Sequence, residues 1–226
     1  ILILSLILAK LPFSDFLFAP LNQFATMIHE MSHAIACVLT GGHVSGMTIV
    51  PDGMGHGGLT RCDGGIRFIH IQAGYLGTAL AGCLLVYFGQ FKHLSKKILI
   101  AMGLAMFLAT IFFMAPGLFS PLFFQAFLSL LWGLALSGVT VYAGYKLKDS
   151  FANMTLLFLA IHIALDSLRS IGTVIMATIF ATHIWSDATT MQDLYGMPAI
   201  LWSFLWLTIS VGMLSATIWY SYFRKR

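Results

Sequence analysis

Five consecutive residues, His29-Glu30-Met31-Ser32-His33, carry the clearest chemistry in the chain. Side chains at i and i+4 of a helix lie one above the other, so His29 and His33 can grip one metal ion if this segment is helical. Glu30 sits one residue round, beside the coordination position that the imidazoles leave open. That place suits a general base acting on water activated by Zn2+. Glu30 is also the only glutamate in the chain, set in the otherwise apolar run NQFATMIHEMSHAIACVLTG. An ionisable group inside a membrane costs about 3 kcal/mol or more unless it is paired or hydrated. A metal site with access to water accounts for three such side chains so close together. The plainer alternative is a polar patch that lines a transport path or packs against another polar helix.

Two histidines leave a catalytic zinc site one protein ligand short, because such sites hold three ligands and keep the fourth position for water. The remaining acidic residues are Asp15, Asp52, Asp63, Asp149, Asp166, Asp187 and Asp193. Only Asp166 lies deep in an apolar segment, LFLAIHIALDSLRSIGTV, at a depth expected to match the histidines, and it is the expected third ligand. Asp166 could instead pair with Arg169 at i,i+3, and the two roles are compatible. Asp187 is the second choice, since it falls in a connection at the wrong depth for a site in mid-helix. His162, one turn before Asp166, is a substitute ligand, a hydrogen-bonded partner of the site or a packing residue.

The elements that must position these groups are membrane helices. Of 226 residues, 59% are hydrophobic and only 9% charged, against about 25% charged in soluble domains. Seven apolar segments, near 1–18, 20–41, 66–90, 96–115, 119–145, 152–181 and 198–222, are each about long enough for a core of about 30 Å. The expected fold is an all-α polytopic membrane protein: a single domain over 1–226, built as a bundle of six to seven transmembrane helices. Between the second and third segments, residues 43–65 form a glycine-rich insertion. Val44, Met47, Ile49 and Val50 have strand character and Pro51-Asp52-Gly53 is a turn signal, so a short β-hairpin is expected after the HExxH helix. Gly74, Thr78 and Gly82, spaced by four, mark a helix-packing face.

The net charge of +4 does not point to nucleic acid, because the basic residues sit in short clusters between apolar runs. Lys92, Lys96 and Lys97, Lys146 and Lys148, and Arg224 to Arg226 are topology signals, and the lipid bilayer is their partner. If all seven segments span, these clusters share the cytoplasmic side and the hairpin lies opposite. The three cysteines show no CxxC and an odd count, so no disulfide framework is expected.

These residues resemble the site-2 protease family, the M50 metallopeptidases, most closely its bacterial M50B-like branch. The family's HExxH is matched by His29, Glu30 and His33. Its Leu-Asp-Gly element, whose aspartate is a zinc ligand, is matched in part by Leu165-Asp166-Ser167. Ala73-Gly74-Tyr75-Leu76-Gly77 resembles the small-residue motif after the family's hairpin. The TGG-x-V turn, the PDG hairpin, Ser186-Asp187-Ala188 and Gly196-Met197-Pro198 fit the M50B-like branch. The resemblance implies Zn2+-dependent hydrolysis of a peptide bond in a transmembrane protein substrate, in a multi-pass protein of a bacterial-type cell membrane. It also implies a hairpin on the cytosolic side, contrary to the charge pattern, and a hairpin edge that takes an unwound substrate strand. The rival readings are a transporter or channel using the same polar residues, a catalytically silent metal-binding scaffold, and a membrane zinc protease of another type.

Overall fold

The computed structural model of the chain describes residues 14–51, 57–121, 123–180 and 185–223. In order, the elements are helix α1 (Ser14–Leu39), strands β1 (Gly42–Thr48) and β2 (Leu59–Gly64), then helices α2 (Arg67–Phe88), α3 (Ser95–Ala109), α4 (Phe123–Lys146), α5 (Asp149–Phe180), α6 (Asp187–Tyr195) and α7 (Ala199–Ile218). Irregular helical turns extend α3 in both directions, over Lys92–Leu94 and Thr110–Phe119.

Among the described residues, five helical stretches are long and apolar enough to cross a membrane: Arg67–Phe88, Lys92–Phe119, Phe123–Lys146, Asp149–Phe180 and Ala199–Phe223. The expected segment 1–18 lies mostly outside the described residues. The expected break between it and the next segment is absent, because α1 runs from Ser14 straight through Pro20.

Burial in the bundle is inverted relative to a soluble protein. The inward face of α4 is Ala126, Ser129, Gly133, Ser137, Thr140 and Gly144, while Phe127, Leu131, Val139, Tyr142 and Tyr145 point outward and are exposed. Lipid rewards large apolar side chains on the outside as well as water rewards polar ones, so small residues are free to take the interior and bring backbones together. Gly103 of α3 shows the result: a Cβ there would lie 2.7 Å from Val141 Cγ2 and 2.9 Å from the Ser137 carbonyl oxygen.

The hairpin is antiparallel, with Gly42 opposite Gly64, Val44 opposite Cys62 and Thr48 opposite Leu59, and a bulge between Val44 and Gly46. Gly41, at φ 85°, makes the turn out of α1, a conformation that glycine adopts without Cβ strain. Val44, Met47 and Ile49 are buried in the bundle, and the Ile49 amide donates to Ser129 Oγ of α4 at 2.9 Å. The hairpin thus sinks its first strand among helices, as its apolar residues lead one to expect, although the turn expected at Pro51-Asp52-Gly53 falls largely outside the described residues.

One expectation is overturned. Cys37, in the last turns of α1, and Cys62 of β2 form a disulfide with a Cα–Cα distance of 6.0 Å. The sequence hides this pairing because β2 reaches α1 only after the chain has turned through the whole hairpin. Cys83 is the remaining thiol, and it is buried.

Candidate metal centre

His29 and His33 lie where helical spacing places them, on one face of α1, with their Nε2 atoms 3.1 Å apart. His33 is buried and His29 partly so. The Nδ1–H of His33 donates to the His70 carbonyl oxygen of α2 at 2.6 Å. That bond places a proton on Nδ1 and leaves Nε2 facing His29 and Asp187. A second hydrogen bond of this kind is what orients a metal-ligating imidazole.

The carboxylate that meets the histidines is Asp187. Its Oδ2 lies 3.5 Å from His29 Nε2 and 3.3 Å from His33 Nε2. Among the described residues these three form a group able to hold a metal ion, with all donor atoms within 4.8 Å of one another. Asp166 is not in that group. Its Oδ2 instead accepts from Ser170 Oγ at 3.4 Å on the same helix. His162, one turn earlier on α5, bonds through Nε2 to the Leu21 carbonyl oxygen of α1 at 3.0 Å.

Asp187 reaches the site because α6 is docked there. Ser186 caps the helix: its Oγ accepts from the Thr189 amide at 3.3 Å, while Thr189 Oγ1 accepts from the Ser186 amide at 2.9 Å. Asp187 therefore occupies the first helical position, where the helix dipole favours a carboxylate. Ala188 and Met191 are buried in a second core with Ile71, Tyr75, Trp202 and Trp206. Burial alone would raise the Asp187 pKa. The charge of His33 and hydrogen bonds from both histidines outweigh it and hold the carboxyl below its usual range.

Glu30 is buried at 4% exposure, and its partner comes from the hairpin. Thr60 Oγ1 of β2 lies 2.6 Å from Glu30 Oε2 and 3.1 Å from the Glu30 carbonyl oxygen. Gly58 closes on the same carboxylate, for a Cβ there would lie 2.7 Å from Oε1. Two residues beyond Thr60, the Cys37–Cys62 disulfide fastens β2 to the helix that carries Glu30.

The far wall of the site is α2. A Cβ on Gly74 would collide with the Nε2 atoms of both His29 and His33 and would lie 2.6 Å from His29 Cε1. The Tyr75 ring meets His29 edge-on, with centroids 4.7 Å apart, and stacks on Trp206 at 5.1 Å. Trp206 Nε1 in turn donates to Gln72 Oε1 at 3.0 Å. The sequence motif Ala73-Gly74-Tyr75 thus serves the histidines directly. The packing role read from the Gly74, Thr78 and Gly82 spacing falls to Gly82, whose added Cβ would lie 3.0 Å from the Ala164 backbone of α5.

The donor set fits zinc. Zn–N and Zn–O bonds of about 2.0–2.2 Å at tetrahedral angles put neighbouring ligand atoms about 3.3–3.6 Å apart. The three separations here are 3.1, 3.3 and 3.5 Å. Two imidazoles and one carboxylate leave a fourth position for water or substrate, and Glu30 is the carboxylate not drawn into the set.

The sequence model of one protein family, described as Peptidase M50B-like, matches residues 1–217. No match was found among curated proteins or among solved structures.

Proposed function

This chain belongs to the Peptidase M50B-like family, and we propose that it is an intramembrane zinc metalloprotease whose metal is held by His29, His33 and Asp187. The observation that carries the reading is the convergence of those three donors at separations suited to one ion. Family membership supports a metallopeptidase of the site-2 protease kind, and the five apolar helices support a multi-pass membrane protein.

A zinc ion bound there would polarise a peptide carbonyl and make water acidic enough to attack near neutral pH. The protein's own groups do the rest. The His70 carbonyl fixes the His33 tautomer, and α6 carries Asp187 to the histidines. Glu30 takes the proton from the attacking water and delivers it to the leaving amine. Thr60 donates to the Glu30 carboxylate and holds it in place. A helical substrate has its carbonyls engaged in its own hydrogen bonds, so it must unwind before the bond can be cut. The hairpin beside Glu30 supplies an extended edge for such a strand.

The test is cleavage in proteoliposomes carrying a panel of end-labelled single-span peptides. Product that appears with the wild type, and is lost both on chelation and in Glu30→Gln, supports protease function. Metal or proton flux impaired by Glu30→Gln, with no peptide product from any substrate, would replace it with the transport reading.

A further inference from the structure

The helix ends sort onto two faces of the bundle. One face is tied together by Gln90 Nε2 to Ser221 Oγ at 2.9 Å, by Asn153 Nδ2 to the Gly89 carbonyl oxygen at 2.7 Å, and by Lys96 with Asp149 at 3.2 Å. Among the described residues, that face carries Lys92, Lys96, Lys97, Lys146 and Lys148 against Asp149 and Asp15, the latter at the start of α1. The opposite face holds the hairpin and α6, with the metal cluster a short way inside. Its charges are Arg61 and Arg67 against Asp63, Asp187 and Asp193. Short connections rich in lysine stay on the cytoplasmic side of a membrane, because that bias sets orientation during insertion.

The disulfide is an independent marker. Cys37–Cys62 lies on the face opposite the lysines, and such bonds persist in oxidising compartments while cytosolic thiols are kept reduced. Charge and thiol chemistry therefore agree on the same orientation from unrelated causes. The hairpin, its disulfide and α6, which brings Asp187 to the cluster, share one face, and His33 bonds His70 in the first turn of α2, so the cluster lies toward that face.

We propose that the metal centre opens to the extracytoplasmic, oxidising side of the membrane, where the Cys37–Cys62 bond is formed. Its substrates are then membrane proteins whose scissile bond lies in the outer half of the bilayer, a consequence that rests on the protease reading, whereas the orientation does not. This is the reverse of the cytosolic placement implied by the family resemblance.

The experiment uses the full chain in the inner membrane of a bacterial host. Single cysteines are added at Ser45, exposed on β1, and at Ser150, exposed at the start of α5. Spheroplasts are treated with a membrane-impermeant maleimide before and after lysis. Ser45→Cys should be tagged in intact spheroplasts and Ser150→Cys only after lysis. The reverse pattern, or tagging of both in intact spheroplasts, overturns the proposal. In parallel, the wild-type chain is acid-quenched from cells, denatured without reductant and tagged. One modified thiol per chain, Cys83, is expected; three overturn the oxidising assignment. Neither readout depends on metal or peptide cleavage, so a failure here leaves the protease reading standing and a failure of that reading leaves the orientation standing.

Discussion

Replacing Gly74 by alanine adds a single methyl group, and the structure puts it against the imidazoles of His29 and His33. Its closest approaches are to both Nε2 atoms, and His29 Cε1 lies 2.6 Å away. Ordinary carbon contacts need about 3.5 Å, so the rings must retreat by about 1 Å or α2 must move away from α1. Metal–ligand distances tolerate about 0.2 Å, several times less than that retreat. A misplacement of about 1 Å at a reacting centre costs about 100-fold in rate. In an exposed helix the same substitution stabilises by about 0.5–1 kcal/mol, so a loss here reports the collision and not helix propensity. Gly138→Ala is the control, because nothing lies within 4 Å of a Cβ at that position. The assay is zinc per chain after metal-replete purification, with thermal unfolding as a check on the fold. Gly74→Ala should lose most of its zinc while Gly138→Ala keeps it. Full zinc and unchanged turnover in Gly74→Ala would refute the packing of α2 against the metal ligands.

The other expectations concern the hairpin and the base. Thr60→Val removes the hydroxyl that holds Glu30 and should lower kcat about 10- to 100-fold, the worth of one hydrogen bond to a charged group. Zinc content and KM should stay near wild type and Thr60→Ser should recover the rate; an unaffected kcat in Thr60→Val would exclude the contact from catalysis. Glu30→Gln should retain zinc and lose about 100- to 10,000-fold in turnover, the usual contribution of a general base, with zinc content and product formation measured on the same sample. Joint replacement of Cys37 and Cys62 by serine opens a loop of 25 residues, which by chain entropy is worth about 3.5 kcal/mol. It should lower the midpoint of thermal unfolding, and an unchanged midpoint would show that the bond does not restrain the hairpin.

Much of the fold was legible because lipid demands a simple grammar. Long apolar segments and polar breaks located five of the seven expected spans, and the strand character of Val44, Met47, Ile49 and Val50 located the hairpin. The break read between segments 1–18 and 20–41 is not there, since α1 runs on through Pro20. At the site, His29, Glu30 and His33 were legible from local spacing alone, because a helix converts i,i+4 into proximity. The acidic partner was not. Depth along the chain favoured Asp166, whereas the carboxylate beside both imidazoles is Asp187. Asp187 looked misplaced in a connection, and only the docking of Ala188 and Met191 against Trp202 and Trp206 carries it inward. Its signal was the Ser186-Asp187 pair at a helix start, which capping preferences could have flagged. Thr60 and Cys62 stayed hidden for a similar reason: the turn between the strands, rather than any local pattern, brings β2 back to α1.

The central claim is the identity of the three ligands, and zinc stoichiometry in detergent-purified protein tests it most directly. Wild type and Asp166→Ala should each bind close to one zinc per chain, while His33→Ala and Asp187→Ala lose it. Zinc retained in Asp187→Ala and lost in Asp166→Ala would contradict the assignment and return the third ligand to α5.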